Sequence, residues 1–168
     1  MVLEEQWSVI PEFPNYLVSN HGHIYNQRYR NHMRTSQQQA GHVKITLTDE
    51  HSMRHTRSVA QFVAEAFVDP ADDRCDHVVI LDGDLTNLAA ENLVWRPRWF
   101  AWKYTHQLKT YQPNHFKNLP VHNITTGSQY GCILDAGMAE GLLFQDIWRS
   151  TYSGDRLFPY GAIFEIIR

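Results

Sequence analysis

With 168 residues, 43% of them apolar, the chain is long enough for one or two small domains with hydrophobic cores. A formal net charge of −3 argues against a protein that binds nucleic acid through its overall charge. No apolar run is long enough to cross a membrane, and Cys75 and Cys132 stand too far apart for a zinc site built on paired cysteines, which indicates a cytoplasmic protein with buried thiols.

Residues 1–30 have the pattern of short strands separated by turns. Trp7 to Ile10 and Tyr16 to Ser19 are rich in strand-forming residues, and prolines interrupt the chain between them. Asn20 to Gly22 predicts a tight hairpin connection. We therefore expect a small β-rich module here.

Residues 31–95 open with an alternating pattern and continue with a helical one. Val43, Ile45 and Leu47 alternate with polar residues, which predicts a half-buried strand. Apolar side chains at helical spacing predict a helix over Val59–Phe67.

The end of this segment runs from Asp82-Gly83-Asp84 through Asn87 to Glu91-Asn92-Leu93 and Trp95. We predict a strand over Val78–Leu81, a turn over Asp82–Asp84, and a helix over Asn87–Leu93. The simplest role of the two aspartates is to form the turn and cap the helix after it.

Residues 96–118 are predicted to be a linker, because aromatic and basic residues alternate there without an acid up to residue 117. Trp99 and Trp102 would share one face if this stretch were helical. Alternatively, they cover the core of the preceding segment.

Residues 119–168 contain two further helical patterns between short strands. A strand is predicted at Val121–Ile124, and a helix follows that stops at Gly141. A second helix over 144–150 and a closing strand over 160–166 complete the segment.

Several of these patterns resemble the HNH homing endonucleases of phages. Trp7-x-x-Ile10-Pro11 and Tyr16-x-Val18-Ser19-Asn20 resemble the module that precedes the nuclease domain in that family. Val63 to Phe67 resembles a helix of the nuclease domain, and Asp82 to Trp95 resembles the second half of the HNH motif. The last two helices resemble the C-terminal helix-turn-helix module of these enzymes.

The resemblance implies an α+β protein in four parts. These are a β-rich N-terminal module (1–30), an HNH-like ββα-metal core (31–95), a basic and aromatic linker (96–118), and a small α/β module with a helix-turn-helix (119–168). In the related enzymes the linker tracks along DNA, so double-stranded DNA is the expected partner.

The residues that carry HNH chemistry are replaced in this chain. Val79 and Ile80 stand where the family has its acid or amide and its histidine, and Ala60 stands at another histidine position. Ile80 cannot take a proton from water, and Val79 cannot bind a metal ion. Asn92 stands where the family places a metal ligand, but one neutral amide is a poor Mg²⁺ site. We therefore expect no catalytic residue and no cofactor.

One alternative keeps the enzyme active. Asp76-His77 is the acid–histidine pair that the family uses, three residues too early in the chain. A bulge in the strand could bring His77 into the site, and Asn92, Asp82 and Asp84 could then hold Mg²⁺ or Mn²⁺. Otherwise His77 is an exposed histidine at the start of a strand.

The candidate DNA-binding residues are basic, aromatic and amide side chains in three stretches. Their alternative interpretation is an ordinary solvated surface. They are Arg28, Arg30, Arg34, Lys44, Arg54 and Arg57; Arg98, Trp99, Trp102, Lys103 and Lys109; and Gln145, Trp148 and Arg149.

We interpret the chain as an HNH-like protein that has lost cleavage and occupies DNA, or a DNA-bound complex, as a regulator or blocker in a phage-infected bacterium. The first alternative is an active Mg²⁺-dependent endonuclease using Asp76 and His77. The second is a protein-binding module, an inhibitor or structural component. It rests on the acidic stretch 62–95 and on Leu143, Phe144 and Trp148, which would make the exposed face of the last helix apolar. Neither a membrane nor a small-molecule substrate is expected.

Overall fold

The computed structural model describes residues 4–39, 41–69, 73–110 and 112–168. The chain forms two compact units, of which the first comprises Met1–Pro70 and Asp84–Trp95 and the second comprises Ala71–Gly83 and Arg96–Arg168. Both units combine small sheets with helices, which agrees with the mixed α and β content expected from the sequence. No helix in the described ranges is long and apolar enough to cross a membrane.

A four-stranded antiparallel sheet opens the first unit. Its strands lie in the order in which they occur in the chain: β1 (Trp7–Ile10), β2 (Phe13–Ser19), β3 (Ile24–Asn26) and β4 (Asn31–His32). The predicted turn between β2 and β3 is confirmed. The N–H of Gly22 donates to the carbonyl oxygen of Ser19 at 3.0 Å, and Gly22 has φ +86°, a conformation that glycine adopts without steric cost.

A second antiparallel sheet in this unit packs with the first helix. It contains β5 (Ser36–Gln37), β6 (Val43–Thr48) and β7 (Arg54–Ser58), and β7 leads directly into α1 (Val59–Phe67). Ile45 and Leu47 on β6 are buried, and α1 packs against β1, β2, β6 and β7. The predicted alternating strand and the predicted helix are both confirmed.

The predicted helix over Asn87–Leu93 is wrong. A single 3₁₀ turn at Ala90–Asn92 is followed by strand β9 (Leu93–Arg96). The N–H of Ala90 donates to the carbonyl oxygen of Asn20 at 2.8 Å instead of to its own helix. Leu88 is buried against Gly22, where an added Cβ would lie only 2.7 Å from the Cβ of Leu88. These contacts with distant residues keep the segment from forming an α-helix, despite its helical spacing.

The second unit is built from short helices and strands. They are β8 (His77–Ile80), α2 (Arg98–Lys109), α3 (Asn114–Lys117), β10 (Val121–Asn123), β11 (Gln129–Tyr130), α4 (Ile133–Glu140), α5 (Phe144–Ser153) and β12 (Phe164–Ile166). Strand β10 lies between β11 and β12 in an antiparallel sheet, so Val121 is paired with Tyr130 on one side and with Ile166 on the other. The predicted first and last strands of this region are therefore present but shorter than expected.

Helices α4 and α5 are joined by a three-residue turn. Gly141 ends α4 in the left-handed conformation with φ +61°, as the sequence predicts. Phe144 packs closely on Gly137, where an added Cβ would lie 2.3 Å from the Phe144 ring. Phe144 is buried in the core, so its assignment to an exposed apolar face is wrong.

The stretch predicted as a linker, 96–118, contains the whole of α2 and of α3, and both belong to the second unit. Phe100, Ala101 and Tyr104 lie on the buried side of α2. The Tyr104 hydroxyl donates to the carbonyl oxygens of Leu81, at 2.8 Å, and Gly137, at 3.3 Å. Burial raises the pKa of this hydroxyl above its usual range, so it remains a donor. These contacts fix α2 on its unit and expose its opposite side.

Candidate nucleic-acid interface and the HNH-like segment

Strand β8 carries aliphatic side chains at the two positions where the family resemblance leads us to expect an acid or amide and a histidine. Val79 is 2% exposed and Ile80 is half-buried. Neither side chain has an atom that accepts a proton or coordinates a cation. The side chains at these two positions therefore contribute apolar packing.

Asp76 has a structural role at the start of α2. Its Oδ1 accepts a hydrogen bond from the backbone N–H of Arg98 at 3.2 Å. The residue before the helix, Pro97, provides no side-chain acceptor, so Asp76 satisfies one of the N–H groups that a helix leaves unpaired at its first turn. Its negative charge also lies at the positive end of the helix dipole.

His77 is not held by its acidic neighbour. Its Nδ1 lies 3.9 Å from Oδ1 of Asp76, which is too far for a hydrogen bond, and both side chains are exposed. A general base is normally positioned by a partner within hydrogen-bond reach. The Asp76–His77 pair does not have that geometry.

Asp84 and Asn92 both make local hydrogen bonds in the first unit. Oδ1 of Asp84 accepts from the N–H of Thr86 at 2.9 Å and from its hydroxyl at 2.7 Å, an arrangement typical of an Asx turn. The hydroxyl bond, with the N–H bond second, lowers the pKa of Asp84. The side-chain amide of Asn92 donates to the carbonyl oxygen of Asn87 at 2.9 Å.

The three candidate metal ligands belong to different units. Asp82 lies in the second unit, whereas Asp84 and Asn92 lie in the first. Within the described ranges, no three His, Cys, Asp or Glu side chains converge as a cation site would require.

The exposed side of α2 brings together five of the candidate DNA-binding residues: Arg98, Trp99, Trp102, Lys103 and Lys109. Lys103 Nζ lies 5.4 Å from the centre of the Trp99 ring. The Trp102 ring is parallel to the His106 ring, with an interplanar angle of 3° and centroids 5.3 Å apart. Helix α2 contains no Asp or Glu, so this surface is cationic and aromatic.

His106, which stacks on Trp102, is not among the DNA-binding residues that the sequence predicts. It lies four residues after Trp102, one helical turn away, so the spacing would have identified it once α2 was known to be a helix. Because the stretch was predicted to be a linker, the one-turn spacing of Trp102 and His106 is not apparent from the sequence.

The candidates in the first unit are spread over loops and strands. Arg28, Arg30 and Arg34 are exposed, as are Arg54 and Arg57 on β7, whereas Lys44 on β6 is half-buried. Arg57 lies 3.5 Å from a carboxylate oxygen of Glu12, and Arg28 lies 5.6 Å from the centre of the Tyr29 ring. An exposed pair of this length holds the arginine weakly, so Arg57 is accessible to an anionic ligand.

The candidates on α5 differ in exposure. Gln145 and Arg149 are exposed, with Arg149 3.7 Å from a carboxylate oxygen of Asp146. Trp148 is half-buried, and its ring lies 4.8 Å from that of His115 and 4.7 Å from that of Tyr152. Trp148 therefore packs within its own unit, while its two polar neighbours face solvent.

The fold is similar to that of HNH homing endonucleases. A solved structure of I-HmuI, an HNH homing endonuclease that binds and cleaves DNA, aligns with a TM-score of 0.57 over 96% of this chain and 98% of that chain, at 20% sequence identity. No protein-family model and no curated protein matches the sequence. Structural similarity at 20% sequence identity shows a shared fold, whereas any DNA-cleaving chemistry depends on the individual residues.

Proposed function

We propose that the chain is an HNH-endonuclease-like protein that binds double-stranded DNA and does not cut it by HNH chemistry. The observation that carries this proposal is the outer side of α2, where three cations and two tryptophans are exposed on a helix without acids. Lysine and arginine on such a surface neutralise phosphates and release counterions, even when the net charge of the protein is negative. The DNA-binding activity of the structural neighbour supports the same ligand.

Loss of cleavage follows from the groups around β8. Val79 and Ile80 provide no base or ligand, and the carboxylate of Asp76 is used to cap α2. General-base catalysis alone is worth about a hundred- to ten-thousand-fold in rate, so a chain without that base should cleave DNA slower by at least this factor. Such a protein would act in an infected bacterium as a regulator or blocker of the site that it occupies.

The C-terminal helices would add a second contact with DNA. Helix α5 follows α4 after a short turn, in the place of the recognition helix of a helix-turn-helix. Gln145 and Arg149 are the exposed residues that would reach the DNA. A protein-docking role for α5 has less support, because Phe144 is buried and Trp148 packs on its neighbours.

A salt titration of DNA binding tests the proposal. Lys103→Gln removes one expected phosphate contact on α2, whereas Lys117→Gln makes the same charge change on α3. We expect Lys103→Gln to reduce the slope of log affinity against log salt concentration by about 0.9, and Lys117→Gln to leave it unchanged. Absence of DNA binding by the native protein at low salt would overturn the proposal.

A further inference from the structure

The two tryptophans of α2 are unusually accessible. Trp99 is 55% and Trp102 is 68% exposed, and they lie one helical turn apart. Scattered apolar residues on a surface are normal, but two neighbouring indoles on a helix with three cations and no acid form a defined patch. Burial in this unit does not account for them.

The two rings are held differently. Trp99 contacts Phe158, with ring centroids 5.8 Å apart, and lies under Lys103. Trp102 contacts His106, which lies parallel to it, and otherwise projects from the helix with most of its surface accessible. Trp102 therefore offers a flat aromatic surface to a ligand, beside the positive charges of Arg98 and Lys103.

The ligand that fits this patch carries negative charge and flat aromatic groups together, which is the chemistry of a nucleic acid. A paired duplex keeps the faces of its bases stacked on each other, so an indole on a helix surface can stack only on a base that is unpaired or unstacked. We infer that the α2 patch binds unpaired bases of DNA, with Trp102 stacking on a base and Arg98, Lys103 and Lys109 close to phosphates. This inference rests on the proposed DNA-binding function and specifies its substrate.

Fluorescence anisotropy with three labelled DNAs of one sequence tests this: a paired duplex, the same duplex with a central unpaired bubble, and the single strand. We expect the native protein to bind the bubble and the single strand more tightly than the duplex at equal salt. Trp102→Leu keeps the apolar character but removes the flat ring, and should weaken binding to unpaired DNA about 5- to 150-fold. Trp102→Phe keeps a ring and should retain most of the affinity.

Because Trp102 is mostly exposed, both variants should keep the native fold, which circular dichroism checks. Equal binding of bubble and duplex by the native protein would overturn the inference and leave the proposed function intact. Equal binding by Trp102→Leu and Trp102→Phe would also overturn it, since a ligand that needs only apolar contact does not distinguish them. Absence of binding to all three DNAs would overturn both proposals.

Discussion

At the scale of single residues, the carboxylate of Asp76 could serve either of two roles, in an active site with His77 or at the start of helix α2. In the alternative with an active site, this side chain would orient His77 or bind a metal ion. Its Oδ1 instead accepts the Arg98 N–H, and His77 stays beyond hydrogen-bond distance. The sequence Asp76-His77 is therefore compatible with an active site and with a helix cap. The distances from Oδ1 of Asp76 to the Arg98 nitrogen and to the His77 ring favour the helix cap.

The capping role of Asp76 predicts that the protein loses stability when this side chain is removed. Asp76→Ala should lower the free energy of unfolding by about 1 kcal/mol, because a helix N-terminus loses its acceptor. Asp76→Asn keeps an acceptor oxygen and should lose less. Urea denaturation measures both variants, and Asp73→Ala, an exposed acid nearby, is the control. Equal stability of Asp76→Ala and the native protein would contradict the assignment.

Tyr130 predicts a dependence of stability on alkaline pH. Its hydroxyl donates to Oε1 of Glu140 at 2.6 Å, and burial, with the Glu140 bond second, raises its pKa to about 12. An unfolded tyrosine has a pKa of about 10. The folded state therefore favours the neutral hydroxyl, and the resulting stability is fully present below pH 10 and lost as the pH rises towards 12.

Thermal unfolding between pH 9 and pH 12 measures this effect. Tyr130→Phe should lose less stability than the native protein over this interval, although it is less stable at neutral pH because it lacks the hydrogen bond to Glu140. If the stability of the two proteins falls in parallel between pH 9 and pH 12, ionisation of Tyr130 does not contribute to the loss of stability.

At the scale of elements, the contact between α4 and α5 depends on Gly137. An added Cβ there would lie 2.3 Å and 2.5 Å from two atoms of the Phe144 ring and 3.2 Å from the carbonyl oxygen of Leu142. Alanine is otherwise the better helix former by about 1 kcal/mol. Gly137→Ala should nevertheless destabilise the protein by about 1 to 3 kcal/mol, because the buried ring has to move.

Gly131→Ala is the matched control for that substitution. An added Cβ at Gly131 would meet only a carboxylate oxygen of Asp135, at 3.4 Å, so its stability should change little. Chemical denaturation of the two variants compares them directly. A Gly137→Ala protein as stable as Gly131→Ala would show that α4 and α5 are not in close contact.

Sequence patterns predicted the elements whose stability is local. The alternation around Ile45 and the apolar face of Val59–Phe67 identified β6 and α1, and Gly141 identified the end of α4. The pattern failed at Asn87–Leu93, where contacts of Leu88 and Ala90 with residues some 70 positions earlier decide the conformation. Such long-range contacts leave no periodic signal.

The candidate site shows the same division. The sequence alone leads to the proposal that Val79 and Ile80 replace the nuclease residues. The roles of Asp76 and of α2 are not apparent from the sequence, because the first depends on one backbone N–H and the second on which side of the helix is buried. The many aromatic and basic residues of this stretch hide the helical pattern of its buried side chains, Phe100, Ala101 and Tyr104.

At the scale of the whole molecule, the fold resembles that of a DNA-cleaving enzyme, and we propose that this chain has lost the cleavage chemistry. The likeness extends over 96% of the chain, whereas sequence identity is 20%. A fold of this kind specifies how elements are arranged, and its catalytic function depends on a few side chains placed upon it. The proposed function assigns DNA binding to the cations on α2 and in the first unit, and it expects no HNH cleavage because β8 carries Val79 and Ile80.

One measurement tests this claim most directly: incubation of the purified protein with supercoiled and linear DNA in Mg²⁺ or Mn²⁺, scored for both mobility shift and nicking. We expect a shift at low salt and no nicking, with His77→Ala behaving as the native protein does. Metal-dependent nicking that disappears in His77→Ala would contradict the claim, because it would show that Asp76 and His77 form an active site.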